Sequence, residues 1–223
     1  MGKSFTWSYS ALKDFETCPA KYKYRREKTP TKKNEYSQRG IEVHEGGEKY
    51  LKGEGKLPKE FKLFAKQLKD LRDKLAASAE SAVAFTRKWN LTGWWDPDVW
   101  LRVKLDVSWI TEDARGDELA HVVDFKTGKP REYPEQERIY AATTLCRYPE
   151  PKKVDVQFWF LDHGIMMPKR PAVYSRVNAL RGIQQEFTLR AKRMEQAKKF
   201  EPRPGGACKF CDYSKRKGGP CKY

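Results

Sequence analysis

The stretch His121-Val122-Val123-Asp124-Phe125-Lys126-Thr127-Gly128 holds the residues best suited to chemistry. Its β-branched and aromatic residues make 122–126 a strand, and successive side chains on a strand face opposite ways. Asp124 and Lys126 then share one face, while Val123 and Phe125 turn into a core. A carboxylate so placed can hold a hard cation through oxygen. The ammonium beside it can orient an attacking water and stabilise charge on a phosphate. Such a hydrolysis needs a metal ion to polarise the phosphate and acidify water. Asp106, flanked by Leu105 and Val107, lies in the preceding strand and comes beside Asp124 if 98–110 and 119–127 pair as a hairpin. The other reading of the same spacing is a surface ion pair between Asp124 and Lys126.

Two helical pieces extend the set. His44 and Glu48 are four apart and share a helix face. The imidazole suits a borderline metal such as manganese, or else capping and packing. Gln136 and Tyr140 are also four apart, on a helix that begins shortly after Lys126, so both can reach the same place or lie on an ordinary helix surface. The cysteines form a second group. Cys208-Lys209-Phe210-Cys211 has the spacing of a metal knuckle, Cys221 follows, and Cys18 lies far upstream. By spacing alone zinc is the preferred ion. Cys146 sits within a predicted helix without a nearby partner.

Stepping outward, residues 8–27 read as helix, capped by Ser8 or Ser10 and interrupted at Cys18-Pro19, and 38–52 as a second helical stretch. Pro58 opens a longer helix whose Phe61, Phe64, Leu68, Leu71 and Leu75 make one apolar stripe. The period then changes to strands at 82–89, 98–110 and 119–127, with a turn at 111–118. Helix 134–147, strands 153–162 and 171–177, and a basic helix 179–199 follow. This order predicts an α/β core with a mixed sheet.

The 223 residues carry 46 Lys+Arg against 30 Asp+Glu, a net charge of +16. That excess favours a polyanionic partner, nucleic acid first among them. At 39% hydrophobic and 13% aromatic, the chain supports a packed core and is not disordered throughout. No apolar run spans a bilayer and the first residues lack the core of a signal peptide, although Gly2 fits a loose myristoylation pattern. The expectation is a cytoplasmic protein without a membrane partner, whose cysteines bind metal rather than pair. Lys21, Lys23, Arg25 and Arg26, with Lys209, Lys215 and Arg216, alternate with Tyr22, Tyr24, Phe210 and Tyr213 as a single-stranded DNA surface would, or as a solvated basic face. Trp94-Trp95 could stack bases or pack a loop on the core.

Across roughly residues 38–140 these pieces resemble the RecB-type branch of the PD-(D/E)xK nuclease superfamily in order and interval. Gly40 and His44 match its G-x-x-x-H helix, and Asp106 its strand carboxylate. Asp124, Lys126, Thr127 and Gly128 match D-x-K-T-G, and Gln136 and Tyr140 match Q-x-x-x-Y. One departure is Val103, where the family often has glycine. The resemblance implies a restriction-endonuclease-like core, a central mixed sheet flanked by helices. It implies Mn2+ or Mg2+ on His44, Asp106, Asp124 and the Phe125 carbonyl, Lys126 acting on water, and Gln136 and Tyr140 touching DNA or steadying the site, with Glu48 a further helper. Nucleases of the AddB and CRISPR-adaptation kind carry a [4Fe–4S] cluster, one cysteine before the nuclease motifs and three after. Cys18, Cys208, Cys211 and Cys221 match that layout, in a small subdomain joining the two chain ends. The interval from Asp212 to Pro220 is longer than that layout expects, which keeps Zn2+ as the alternative. The implied organisation is 1–35 as one part of the cluster subdomain, 36–178 as nuclease core with a helical insertion near 58–80, and 179–223 as helix and cysteine segment. The implied activity is exonucleolytic, on single-stranded DNA or DNA ends, in recombination, repair, phage DNA processing or CRISPR adaptation, with a recombination, replication or CRISPR-adaptation protein as a further partner. The competing readings are a non-catalytic DNA-binding module that keeps the fold, and an RNA-directed or regulatory zinc protein.

Overall fold

A computed structural model describes residues 5–31, 35–74, 78–113 and 115–223. Gly2 and Leu75 lie outside the described residues. Helix α1 spans Tyr9–Thr17, its first turn capped by Ser8 Oγ, which accepts from Ala11 N at 3.3 Å. Cys18 separates it from α2, Pro19–Arg26, which proline opens at its first position. Helix α3, Glu35–Leu51, buries Val43, Gly47, Tyr50 and Leu51, a single stripe at helical spacing. The predicted helix after Pro58 is two pieces, a 3-10 segment Lys59–Phe64 leading into α4, Ala65–Lys74. Its stripe survives the change, since Phe61, Phe64, Leu68 and Leu71 are all buried.

Six strands follow the order β2-β1-β3-β4-β5-β6. They are β1 Ser78–Phe85, β2 Leu91–Thr92, β3 Leu101–Glu112, β4 Glu118–Lys126, β5 Lys153–Phe160 and β6 Ile165–Ser175. β4 and β5 are parallel and the other neighbours antiparallel, so the sheet is mixed. The parallel step requires a crossover, which α5, Pro134–Arg147, supplies. Glu135 and Glu137 in its first turn and Arg147 in its last complement the helix dipole. The chain then runs through α6, Arg176–Asn178, and a π-helical turn, Ala179–Ile183, into α7, Gln184–Gln196.

The strand expected at 82–89 is displaced to 78–85. Residues 86–90 form a turn instead, closed by Thr86 N to Asn90 O at 2.9 Å, with Trp89 at φ 62°. Trp89 is buried against Trp100 all the same, so its apolar character mimicked a strand position. β6 likewise starts earlier than the expected 171, and the basic helix starts before 179 and ends at Gln196.

Helices cover both faces of the sheet. On β4, Ala120 and Val122 join a core with Ile139 of α5 and Phe187 of α7. Val123 and Phe125 join the other core, with Val43 of α3, Phe61 and Leu68. Trp7 is stitched into the sheet, its N–H donating to Trp100 O and its carbonyl accepting from Arg102 N, both at 2.9 Å. No helix among the described residues is long and apolar enough to cross a membrane.

Candidate active site

The β3–β4 ladder runs from Glu112↔Glu118 to Val107↔Val123. Beyond that pair the described register stops, and the next residues of the two strands are Asp106 and Asp124. The Phe125 N–H donates to Asp106 Oδ2 at 2.7 Å, a side chain taking the place of a ladder carbonyl. Asp106 Oδ1 lies 2.8 Å from Nδ1 of His44, which α3 delivers from one side of the sheet. From the other side α5 delivers Gln136 and Tyr140. Asp124 Oδ1 accepts from the Tyr140 hydroxyl at 2.7 Å and from Gln136 Nε2 at 3.3 Å. Gln136 Nε2 also donates to the Tyr140 oxygen at 2.7 Å, and Gln136 Oε1 accepts from Lys126 Nζ at 3.1 Å. Lys126 Nζ stands 2.6 Å from Asp124 Oδ2, yet that buried oxygen receives no hydrogen bond of acceptable angle. The contact is an ion pair that leaves a carboxylate lone pair free.

The electrostatics follow from burial. Asp124 is 4% exposed and Tyr140 7%. Burial, then the neighbouring Asp124 charge, raises the Asp106 carboxyl above its ordinary range. Burial, then Asp124 and Asp106, pushes the Tyr140 phenol well up, so it stays a donor. At His44 burial works to lower the pKa, but the bond to Asp106 and the charges of Asp106 and Asp124 carry it above the ordinary value. Two close buried carboxylates repel each other and attract a cation. Among the described residues no three His, Cys, Asp or Glu side chains already stand in ligating arrangement around one point. In this arrangement the Lys126 ammonium and the His44 ring occupy the carboxylates. The donor set nevertheless fits Mn2+ or Mg2+: oxygen from two carboxylates, including the Asp124 Oδ2 that is ion-paired with Lys126, and one imidazole.

All six predicted side chains therefore meet, whereas Glu48 pairs with Lys52. Sequence reasoning passed over Tyr133 and Phe158, whose rings lie 4.7 and 5.3 Å from Lys126 Nζ. Nothing periodic marks Tyr133, which precedes α5 in a loop. A cleft of about 640 Å³ runs from Lys126 and Gln136 past Lys13, Ser10 and Arg131.

Cys18, Cys208, Cys211 and Cys221 line one cavity of about 490 Å³, together with Lys21 and Arg131. All are free thiols, half-buried. Burial raises the Cys211 thiol, and Cys18 and Cys221 are near enough to raise it further. The long interval after Asp212 folds back on itself. Cys221 N donates to Tyr213 O and Gly219 N to Ser214 O, both at 2.9 Å. Any Cβ at Gly219 would sit 2.3 Å from the Tyr213 carbonyl carbon, so only glycine allows that return. Cys146 is elsewhere, accepting from Gln184 Nε2 at 3.0 Å, its pKa pushed up by burial to about 11.

The basic surface is less free than its sequence suggests. Lys21 and Arg25 both pair with Asp14, at 2.7 and 2.6 Å. Arg26 lies over Tyr22 and Phe200, and Lys209 over Phe210. Tyr22 is buried, a core residue rather than a stacking face, because α2 turns it toward Phe15 and Phe200. Lys23, Lys215 and Arg216 are exposed.

A family profile described as "PD-(D/E)XK nuclease superfamily" matches residues 6–216. The chain belongs to that superfamily. Membership makes it a nuclease-type phosphodiesterase, a hydrolase of a kind that typically uses Mg2+ or Mn2+. The mixed sheet flanked by helices agrees with the restriction-endonuclease-like fold of PD-(D/E)XK proteins. No curated protein matches the chain. Among solved structures, "Crystal structure of SSO0001" is similar at 15% identity and a TM-score of 0.37, covering 96% of this chain and 86% of that one.

Proposed function

We propose that this PD-(D/E)XK chain is a deoxyribonuclease of the RecB-type branch, an exonuclease acting on single-stranded DNA or DNA ends. The observation that carries the reading is the meeting of His44, Asp106, Asp124 and Lys126 where β3 and β4 part, each supplied by the element its spacing implied. His44, Asp106, Asp124 and the Phe125 carbonyl would hold Mn2+ or Mg2+. When bound, that ion polarises the scissile phosphate and acidifies water. Asp124 holds the Lys126 ammonium beside the same point, where it presents positive charge to the attacking water and to the phosphate. Gln136 fixes the direction of that ammonium through its Oε1, and Tyr140 fixes the Asp124 carboxylate. The aromatic rings of Tyr133 and Phe158 shield Lys126 from bulk water on one side.

We further propose that Cys18, Cys208, Cys211 and Cys221, four thiols from two distant segments that line one cavity, would hold a [4Fe–4S] cluster. Arg203 N–H points at Cys18 Sγ, 3.4 Å away, as donors to ligating sulfurs do.

The test compares wild type with Lys126→Ala on linear and circular, single- and double-stranded DNA, and on RNA, with Mn2+ or Mg2+. Lys126→Ala is expected to cut about 10²–10³-fold more slowly. Linear single strands should be degraded and circular ones resist. Equal cutting by both proteins sinks the assignment of Lys126, and rapid cutting of circles sinks the exonuclease reading. Anaerobically purified protein should contain iron and sulfide. Stoichiometric zinc without iron would replace the cluster with a zinc site.

A further inference from the structure

Trp95 is 83% exposed, although an indole gains more from burial than almost any side chain. It does not pack a loop on the core. Its turn is ordered nonetheless: Asp96 N donates to Gly93 O, Val99 N to Asp96 O, and Asp98 N to Asp96 Oδ1. Arg102 holds the turn from below. Its Nη2 donates to Trp94 O at 2.9 Å, and its guanidinium lies 5.2 Å from the Trp94 ring and 5.3 Å from the Trp95 ring. Arg102 Nε is buried without a hydrogen-bond partner, and Arg102 makes no ion pair among the described residues. A cation already lies near both indole rings, so this is not a cage for a cationic ligand. What remains is an open aromatic face over an uncompensated positive charge.

The position gives that face a use. Leu101, Val103 and Leu105 of β3 are buried, while Arg102, Lys104 and Asp106 alternate on the other face. Arg102 is thus about 14 Å from Asp106 along one strand, roughly four stacked nucleotides. A cleft of about 430 Å³ joins Trp94, Arg102 and Lys104 to Gln136 and Tyr140. Tyr9, Ser10 and Gln136 line both this cleft and the Lys126 cleft, so the two are neighbours.

We propose that Trp94, Trp95 and Arg102 form a stacking platform for unpaired bases of single-stranded DNA, a few nucleotides from the Asp106 and Asp124 site where the scissile phosphate would be cut. The direction of the strand rests on the nuclease reading; the binding of bases does not. In a duplex the ring faces are already stacked on the neighbouring base pairs, so the platform favours single strands, and it tolerates any sequence because every base has such a face. The positive charge serves the backbone.

The test is equilibrium binding of an end-labelled mixed-sequence oligodeoxynucleotide in EDTA, where nothing is cut, set against an abasic oligonucleotide of equal length. Trp95→Ala should weaken binding of the base-bearing strand about 5- to 150-fold and leave the abasic strand within about twofold. Trp95→Phe should keep most of the affinity. A change below about twofold on the base-bearing strand, or an equal loss on both strands, overturns the platform. Dependence on Trp95 with an oligoribonucleotide but not with DNA overturns the choice of DNA. Because the readout is binding, absence of cleavage in the metal assay defeats the nuclease reading and leaves this result standing.

Discussion

Asp124 gathers Tyr140, Gln136 and Lys126 on a carboxylate that is almost wholly buried. Tyr140→Phe removes the shortest of its hydrogen bonds and also leaves the Gln136 Nε2 donor without the Tyr140 oxygen. Such a loss beside a buried charge costs about 1–3 kcal/mol, measurable as a shift in urea midpoint without a change in slope. An unchanged midpoint would mean that the hydroxyl does not bond Asp124. Cys146 allows a second prediction. Burial pushes its pKa to about 11, so the thiolate is scarce at neutral pH. In metal-stripped protein Cys146 should be the last of the five cysteines alkylated by iodoacetamide, as mass spectrometry would show. Much at this scale was legible in the sequence, because strand period two and helix period near four fix which residues share a face. The partners of each residue were not. That Gln136 and Tyr140 would both converge on Asp124, or that Lys21 and Arg25 would spend their charge on Asp14, depends on how one element packs on the next, which the pattern within an element does not fix.

At the scale of elements, the site depends on how closely α3 approaches β4. A Cβ at Gly47 would lie 2.7 Å from Phe61 Cζ and 3.4 Å from Phe125 Cε2. Phe61 is fully buried and set edge-on to Phe125, so it has no room to yield. Gly47→Ala should destabilise by about 1–3 kcal/mol and move His44 away from Asp106, lowering nuclease activity with it. The start of α3 is tethered to the end of β5 by Arg39, whose Nη1 donates to Asp162 Oδ2 at 2.8 Å. That bond holds the Asp162 carboxyl below its ordinary range. A lowered carboxylate pKa stabilises the fold above the ordinary aspartate range, and that contribution disappears as pH falls through the lowered value. The pair is partly exposed, so Arg39→Ala should cost about 0.5 kcal/mol at pH 7, after solvent screening. The gap from wild type should close in urea titrations run well below the ordinary aspartate range. Element types were readable where apolar period and length agreed, as in α3 and β4. Boundaries failed where an apolar residue served a turn, as Trp89 does, or where local geometry changed without a change in pattern, as at the 3-10 segment 59–64.

For the whole molecule, the net charge of +16 predicts a partner bound largely through phosphates. Single-stranded DNA affinity should fall with salt at a log–log slope of about −0.7 per phosphate contacted, so four or five contacts give roughly −3. A flat salt dependence would remove the electrostatic argument. The cysteine cavity joins segments separated by most of the chain, and the metal or cluster proposed there would close a very long loop. Loaded protein should melt roughly 5–10 °C above Cys208→Ala, the effect of ~2–3 kcal/mol at this chain length. Stripping the metal should abolish the difference. Composition announced the polyanion. It gave no hint that the Asp212–Pro220 interval would return through Gly219 to bring Cys221 back, because that depends on one backbone approach rather than on any pattern.

The parting of β3 and β4 has a spectroscopic consequence. The Phe125 amide gives its proton to the Asp106 carboxylate instead of to a neighbouring carbonyl. A proton shared with a carboxylate is strongly deshielded. Its ¹H–¹⁵N signal should therefore stand well downfield of the other β4 amides and move as Mn2+-free protein is titrated with Mg2+, before any nucleic acid is added. One backbone resonance would then report directly on cation capture.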